Sequence, residues 1–153
     1  MRVHSLRQEQ RLPISVDEAW AFFSNPANLD EITPADLGFQ ITSRPAERMF
    51  NGQIITYRVK VAPLVWVTWV TEIKCVETAH SFIDEQRFGP YKFWHHRHTF
   101  EPVPGGVSMT DEVHYVLPFG FLGSIAHFGF VRRKLEWIFA SRKRILAERF
   151  GML

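Results

Sequence analysis

Apolar and polar residues alternate along most of the chain between residues 37 and 117. Alternation of this kind is typical of β-strands with one buried face. Turn residues interrupt it, among them Asn51-Gly52, Gly89-Pro90 and Pro104-Gly105-Gly106, and their spacing predicts a meander of antiparallel hairpins. The predicted strands lie near residues 37–44, 53–61, 65–76, 80–88, 92–102 and 106–117, and a first strand lies at 3–12.

Two short helices are predicted directly after the first strand. Ser15 and Glu18 have the spacing of a capping box, in which each side chain accepts a hydrogen bond from the backbone of the other residue. Asn25-Pro26 ends this helix, because proline does not continue a helix, and Pro26 can begin the second one. Thr33-Pro34 ends the second helix in turn.

The last part of the chain is predicted to form one long helix, which starts after a glycine-rich hinge at residues 118–123 and runs to about Phe150. An apolar stripe follows its helical period, whereas its basic residues are expected on the remaining surface. The stripe contains Ile125, Phe128, Leu135, Ile138, Phe139, Ile145 and Leu146, and the basic residues are Arg132, Arg133, Arg142, Lys143 and Arg144. The order of elements predicts an α+β architecture with the helices on one face of the sheet, in a single domain of residues 1–153.

Composition narrows the range of functions. The 14 Phe and 5 Trp residues can fill a core or line an apolar pocket. The net charge of +2 is too small to indicate a nucleic-acid partner. One cysteine, Cys75, excludes an intramolecular disulfide and favours a reducing compartment. No stretch approaches the ~20 apolar residues of a membrane span. We therefore expect a cytoplasmic location without stable membrane insertion.

The turns also predict which residues face each other across the strands. The turn at Gly89-Pro90 places Asp84 opposite His96, and the turn at Pro104-Gly105-Gly106 places His98 opposite Asp111. Side chains of one parity share one face of a sheet. The more aromatic face is expected to lie against the long helix, and it contains Tyr57, Trp69, Phe82, Asp84, Gln86, Trp94, His96, His98, Asp111 and Tyr115. Glu85, Arg87, His95 and Arg97 are expected to be exposed on the other face.

Ionisable groups on the inner face call for an explanation, because a buried charge is costly unless it is paired. His98 and Asp111 can form an acid–base pair for catalysis, with Tyr115 and Gln86 holding a substrate oxygen. The alternative is a hydrogen-bonded polar network that only fixes strand register. His96 and His98 have a spacing that also suits a metal ion, but the carboxylates are sufficient partners, and we predict no bound metal and no cofactor.

Several segments resemble the helix-grip superfamily called SRPBCC, which groups START lipid-transfer domains, polyketide cyclases and the birch pollen allergen family. They are Leu12-Pro13-Ile14-Ser15, the run from Ala19 to Leu29, Gly89-Pro90-Tyr91, the run from Trp94 to Phe100, and Leu117-Pro118-Phe119-Gly120. The resemblance implies a curved antiparallel sheet of about seven strands wrapped around a long C-terminal helix. It also implies a pocket between the two, because members of the superfamily bind hydrophobic ligands and some catalyse cyclisation or aromatisation.

Three functions follow as hypotheses. The first is binding of a small hydrophobic molecule, such as a lipid, a polyketide-like compound or an aromatic compound. The second is a cyclase or dehydratase that uses His98 and Asp111 in the same pocket, and the third is an interaction domain that binds a protein through the long helix. The predicted ligand contacts are Tyr57, Trp69, Asp84, Gln86, Trp94, His96, His98, Tyr115, Phe121 and Phe128.

Overall fold

A computed structural model describes residues 2–118 and 130–153 of the chain. Its centre is a curled antiparallel sheet of seven strands in the order β1-β7-β6-β5-β4-β3-β2. The strands are β1 (His4–Leu12), β2 (Phe39–Ile41), β3 (Ile54–Ala62), β4 (Val65–Glu77), β5 (Ser81–Phe88), β6 (Phe93–Val103) and β7 (Gly106–Val116). The predicted α+β architecture with about seven strands is confirmed.

The described helices lie where the pattern predicted them, with two differences. The first is α1 (Val16–Phe23), and the long C-terminal one is α2 (Arg132–Phe150). The predicted second short helix is a 3₁₀ helix, Pro26–Ile32. The strand predicted at 37–44 is only three residues long, because a second 3₁₀ turn, Ala35–Leu37, precedes it and Gly38 adopts a left-handed φ of 62°. Residues 124–129, with which the predicted long helix begins, lie outside the described residues.

The capping box at α1 is present as predicted. The Ser15 side chain accepts a hydrogen bond from the Glu18 backbone N–H at 3.2 Å, and the Glu18 carboxylate accepts one from the Ser15 backbone N–H at 2.8 Å. This cap starts the helix directly after β1 and turns Ala19 and Phe23 toward the core. There they pack with Leu12, Phe100 and Leu146.

Two glutamines of β1 attach α2 to the sheet. Gln8 donates a side-chain hydrogen bond to the main-chain oxygen of Phe139 at 3.1 Å, and Gln10 donates one to that of Lys143 at 2.8 Å. Both acceptors belong to the helix backbone, so these bonds fix the position of α2 along the sheet. None of the described helices is long and apolar enough to cross a bilayer.

Leu146 tests how strongly α2 stabilises the fold. Its side chain is fully enclosed between α1 and the sheet, so Leu146→Ala should lower the free energy of unfolding by about 2–5 kcal/mol. Arg144→Ala, an exposed change on the same helix, should stay within about 0.5 kcal/mol of the parent. Urea unfolding measures both. Equal losses in the two variants would show that α2 is not a structural part of the core.

Candidate functional site

A cavity of about 550 Å³ lies between the inner face of the sheet and α2. Most of its wall is aromatic or aliphatic, and Phe39, Trp69 and Trp94 from the sheet face Leu135, Ile138 and Phe139 from the helix. Ligand sites in proteins have typical volumes of about 300–1,000 Å³ and mostly apolar walls. The cavity therefore has the size and lining of a site for a small organic molecule.

Strand register brings four ionisable side chains together at one end of this cavity. Asp84 on β5 lies opposite His96 on β6, and His98 on β6 lies opposite Asp111 on β7, as the turn positions predicted. Both histidines and Asp111 are buried, and Asp84 is half-buried. His96, His98 and Asp84 line the cavity, whereas Asp111 lies behind them.

The four groups form a closed ring of contacts. His96 Nε2 lies 2.9 Å from Asp111 Oδ1, and His98 Nε2 lies 2.8 Å from Asp84 Oδ2. The second nitrogen of each ring faces the other carboxylate, with His96 Nδ1 3.2 Å from Asp84 Oδ2 and His98 Nδ1 3.0 Å from Asp111 Oδ1. The indole of Trp94 donates to the remaining oxygen of Asp84 at 3.2 Å. All four imidazole nitrogens therefore lie next to a carboxylate.

This arrangement sets the charge of the cluster at neutral pH. Burial disfavours the charged form of each group, but the Asp84 charge and the hydrogen bonds to Asp111 and Asp84 outweigh burial and raise the pKa of His96 to about 9. Burial is likewise outweighed at the two carboxyls. The charge of His96 lowers the pKa of Asp84, and the charge of Arg142 lowers the pKa of Asp111. His96 is therefore an imidazolium at pH 7, which can donate protons but is a poor base.

Asp84, His96 and His98 also bring three potential metal-ligand atoms within 4.8 Å of one another. Two histidines and one carboxylate are a donor set that transition metals use. In this cluster the same atoms already contact groups of opposite charge, and the Arg142 guanidinium lies nearby. Our expectation that no metal is tightly bound stays a prediction.

The expectation that Arg142 lies on the surface is wrong. It is buried, with 9% of its surface exposed, and it lines the cavity. Its Nη1 lies 3.9 Å from Asp111 Oδ1, beyond hydrogen-bond distance, and its Nε has no hydrogen-bond partner within residues 2–118 and 130–153. Leu135, Phe139, Arg142 and Leu146 recur at intervals of four, three and four residues along the helix, and this heptad spacing was the available signal.

Some of the other predicted site residues line the cavity, and others make contacts elsewhere. Tyr57, Trp69 and Trp94 line the cavity. Gln86 instead exchanges two hydrogen bonds with the backbone of Tyr91, at 2.6 and 3.1 Å. Tyr115 lies against a second depression, beside His4 and Phe139, rather than in the cavity wall. Phe121 and Phe128 lie outside the described residues.

The outer face of the sheet is the polar one, as predicted. Arg87 and Arg97 are exposed, whereas Glu85 and His95 are half-buried. Glu85 is covered in part by an ion pair with Lys74 at 2.8 Å, and the His95 ring lies 6.3 Å from that of His114 across the strands. The parity argument therefore assigned the correct face, and neighbouring side chains account for the lower exposure.

Comparison with known proteins gives the fold. No protein-family model matches the chain, and no curated protein matches it significantly. Solved structures do align along nearly its whole length. Protein CV1439 from Chromobacterium violaceum aligns with a TM-score of 0.72 at 11% identity, over 97% of this chain and 98% of that one. Ara h 8.0201 aligns with a TM-score of 0.63 at 16% identity, over 96% and 99%.

The di-domain ARO/CYC BexL, from the BE-7585A biosynthetic pathway, aligns with a TM-score of 0.73 at 16% identity, over 99% of this chain and 51% of that one. The chain therefore shares the helix-grip fold of these structures, a curled antiparallel sheet with a long C-terminal helix. At 11–16% identity, the likeness to these structures concerns the fold alone.

The ring of contacts predicts strong coupling between His98 and Asp111. Removing one partner leaves a buried group unsatisfied, so His98→Ala and Asp111→Ala should show a coupling free energy of about 1–3 kcal/mol in a double-mutant cycle. Arg97 and Glu112, directly opposite each other on the outer face, provide a control cycle with coupling below about 1 kcal/mol. Urea unfolding measures both cycles. Additive losses at the inner pair would mean that the two groups do not interact.

The cluster also predicts how stability changes with pH. The pKa of His96 is about 9 in the folded protein against an ordinary 6.5, so its contribution is complete below pH 6.5 and is lost as the pH rises through 9. The free energy of unfolding should therefore fall by roughly 3 kcal/mol across that range. The pKa values of Asp84 and Asp111 are lowered in the folded protein, so the contributions of these carboxylates are lost as the pH falls. The free energy of unfolding should therefore also decrease toward acid pH.

Denaturant unfolding from pH 4 to pH 10 measures this dependence. His96→Gln should flatten the alkaline part of the profile, while the same change at His95, the next residue on the outer face, should preserve it. A profile of His96→Gln as steep as that of the parent would contradict the charge assignment.

Proposed function

We propose that the protein binds a small, largely apolar molecule in the cavity between the sheet and α2. The observation that carries this proposal is the cavity itself, with a volume of about 550 Å³, mostly apolar walls and a polar cluster of Asp84, His96 and His98 in its lining. A well-packed interior has few voids larger than a water molecule. A space of this size, lined by aromatic rings, fits a bound organic molecule better than it fits a structural core.

The polar end gives such a molecule an orientation. Burial and the Asp84 charge raise the pKa of Tyr57, so its hydroxyl remains protonated at neutral pH and can donate a hydrogen bond. Tyr57, Asp84, His96 and Arg142 all line the cavity. A lipid, a polyketide-like compound or an aromatic compound with one oxygen-bearing end would place its apolar part against the aromatic walls and its oxygen next to these polar groups.

Catalysis in the same cavity is the second candidate, because the rings of His96 and His98 line it. A protonated His96 suits steps that need an acid, such as the loss of a hydroxyl group as water, and is unsuited to removing a proton from carbon. A His98→Ala variant that still binds a ligand but no longer converts it would favour this candidate over simple binding. The similarity to the di-domain ARO/CYC proteins supports it at the level of the fold.

A larger side chain in the cavity wall should weaken binding. Thr71 on β4 lines the cavity, whereas Thr68 on the same strand is exposed. Thr71→Phe should weaken binding of the neutral dye N-phenyl-1-naphthylamine by about tenfold or more, since a forced steric overlap costs 1–3 kcal/mol. Thr68→Phe should bind the dye as the parent does.

Dye fluorescence gives the affinities, and native mass spectrometry of freshly purified protein shows whether a small molecule has co-purified and whether Thr71→Phe has lost it. If the parent protein neither carries a small molecule nor binds the dye saturably, the cavity is not a ligand site. Equal dye affinity in Thr71→Phe and the parent would lead to the same conclusion.

A further inference from the structure

We infer that the molecule bound in the cavity carries a carboxylate or a similar oxyanion, and that Arg142 binds this group. The inference rests on the proposed function and adds the chemical class of the ligand. It follows from one buried donor without a partner, and from the distribution of charge around the cavity.

Arg142 enters the cavity from the helix, and its guanidinium lies next to the ring of acids and histidines, with Nη1 3.9 Å from Asp111 Oδ1. Its guanidinium carbon lies 5.8 Å from the centre of the Phe23 ring, which is a cation–π contact that supports the side chain. Gln8 and Gln10 bind the helix backbone at Phe139 and Lys143, on either side of Arg142 in sequence. The helix backbone around Arg142 is therefore fixed to the sheet before any ligand binds, and the Phe23 ring supports the side chain.

The hydrogen-bonding capacity of Arg142 is incompletely used. Its Nε is buried without a hydrogen-bond partner in the part of the chain that the structure describes, and the distance of 3.9 Å between Nη1 and Asp111 Oδ1 is too long for a hydrogen bond. An unsatisfied buried donor is costly, and a guanidinium presents its N–H groups in a planar fork that matches a carboxylate. A ligand oxyanion beside Arg142 would satisfy this donor.

The remaining charges around the cavity favour an anion over a cation. Asp84 is the described acid in the wall, and it already contacts His96, His98 and Trp94. Lys60 and Lys134 also line the cavity, and Lys134 donates to the main-chain oxygen of Lys60 at 3.2 Å. A positively charged ligand would meet these basic groups, while the one lining acid has its partners.

Arg142 is a better anchor than Lys134 for the charged group. Lys134 lies eight residues earlier on α2, or about 12 Å along the helix axis at 1.5 Å per residue. It is only half-buried, so water competes for its ammonium group. The wall between them carries Leu135, Ile138 and Phe139. The ligand would place its oxyanion at Arg142 and its apolar body along this wall.

Two competitors that differ only in their head group test the inference, namely decanoate and decan-1-ol. Each is titrated against protein loaded with N-phenyl-1-naphthylamine, and the ratio of the two displacement constants is compared among variants. Arg142→Met keeps the length of the side chain but removes its charge and donors. It should weaken decanoate by about tenfold or more relative to decan-1-ol. Arg144→Met, an exposed change on the same helix, should keep the ratio of the parent.

The outcomes separate this inference from the proposed function. If the dye binds but Arg142→Met leaves the ratio unchanged, or weakens both competitors equally, the inference is wrong and the cavity remains a ligand site. If the dye does not bind the parent protein, both proposals fail. Thermal unfolding checks that each variant is folded, and Arg142→Gln gives the same comparison with the same expected loss if Arg142→Met does not fold.

Discussion

The ring of contacts between two carboxylates and two imidazoles on the inner face of the sheet is the constraint on which the site depends. Each group alone would be too costly to bury at this position. Together, Asp84, His96, His98 and Asp111 form a ring that requires β5, β6 and β7 to keep one register, because a slip by one residue would turn half of the groups to the opposite face. The register of these strands therefore determines both the cluster and the part of the cavity wall that the cluster forms.

The cluster also limits the chemistry that the cavity can perform. Every nitrogen of the His96 and His98 rings faces a carboxylate, so neither ring presents a free lone pair to the cavity, and His96 provides positive charge. Among the described residues, Arg142 Nε is a buried donor without a hydrogen-bond partner, and the helix that carries it is bound to the sheet by Gln8 and Gln10. The sheet therefore carries a network whose groups are partners of one another, whereas the helix carries Arg142, the group that we propose binds the ligand.

Sequence reasoning predicted the sheet better than it predicted the cavity. Short turns at Gly89-Pro90 and Gly105-Gly106 fix which residues face each other, so His98 and Asp111 could be paired from the sequence. Parity identifies a face of the sheet but not which part of that face borders the cavity. Gln86 binds the Tyr91 backbone instead, and Tyr115 packs with Leu135 and Phe139 of the helix. Arg142 was assigned to the surface because of its charge, although its heptad position placed it with Leu135, Phe139 and Leu146.

The attachment of the helix by Gln8 and Gln10 has a consequence for how such a protein can diversify. Both glutamines bind main-chain oxygens, which every amino acid provides, so these two attachments do not depend on the side chains that the helix presents to the cavity. A single codon change at position 142 can then exchange the polar group on the helix wall without moving the framework. Ligand preference and structural integrity are in this way encoded at separate positions, and natural selection can alter the first while conserving the second.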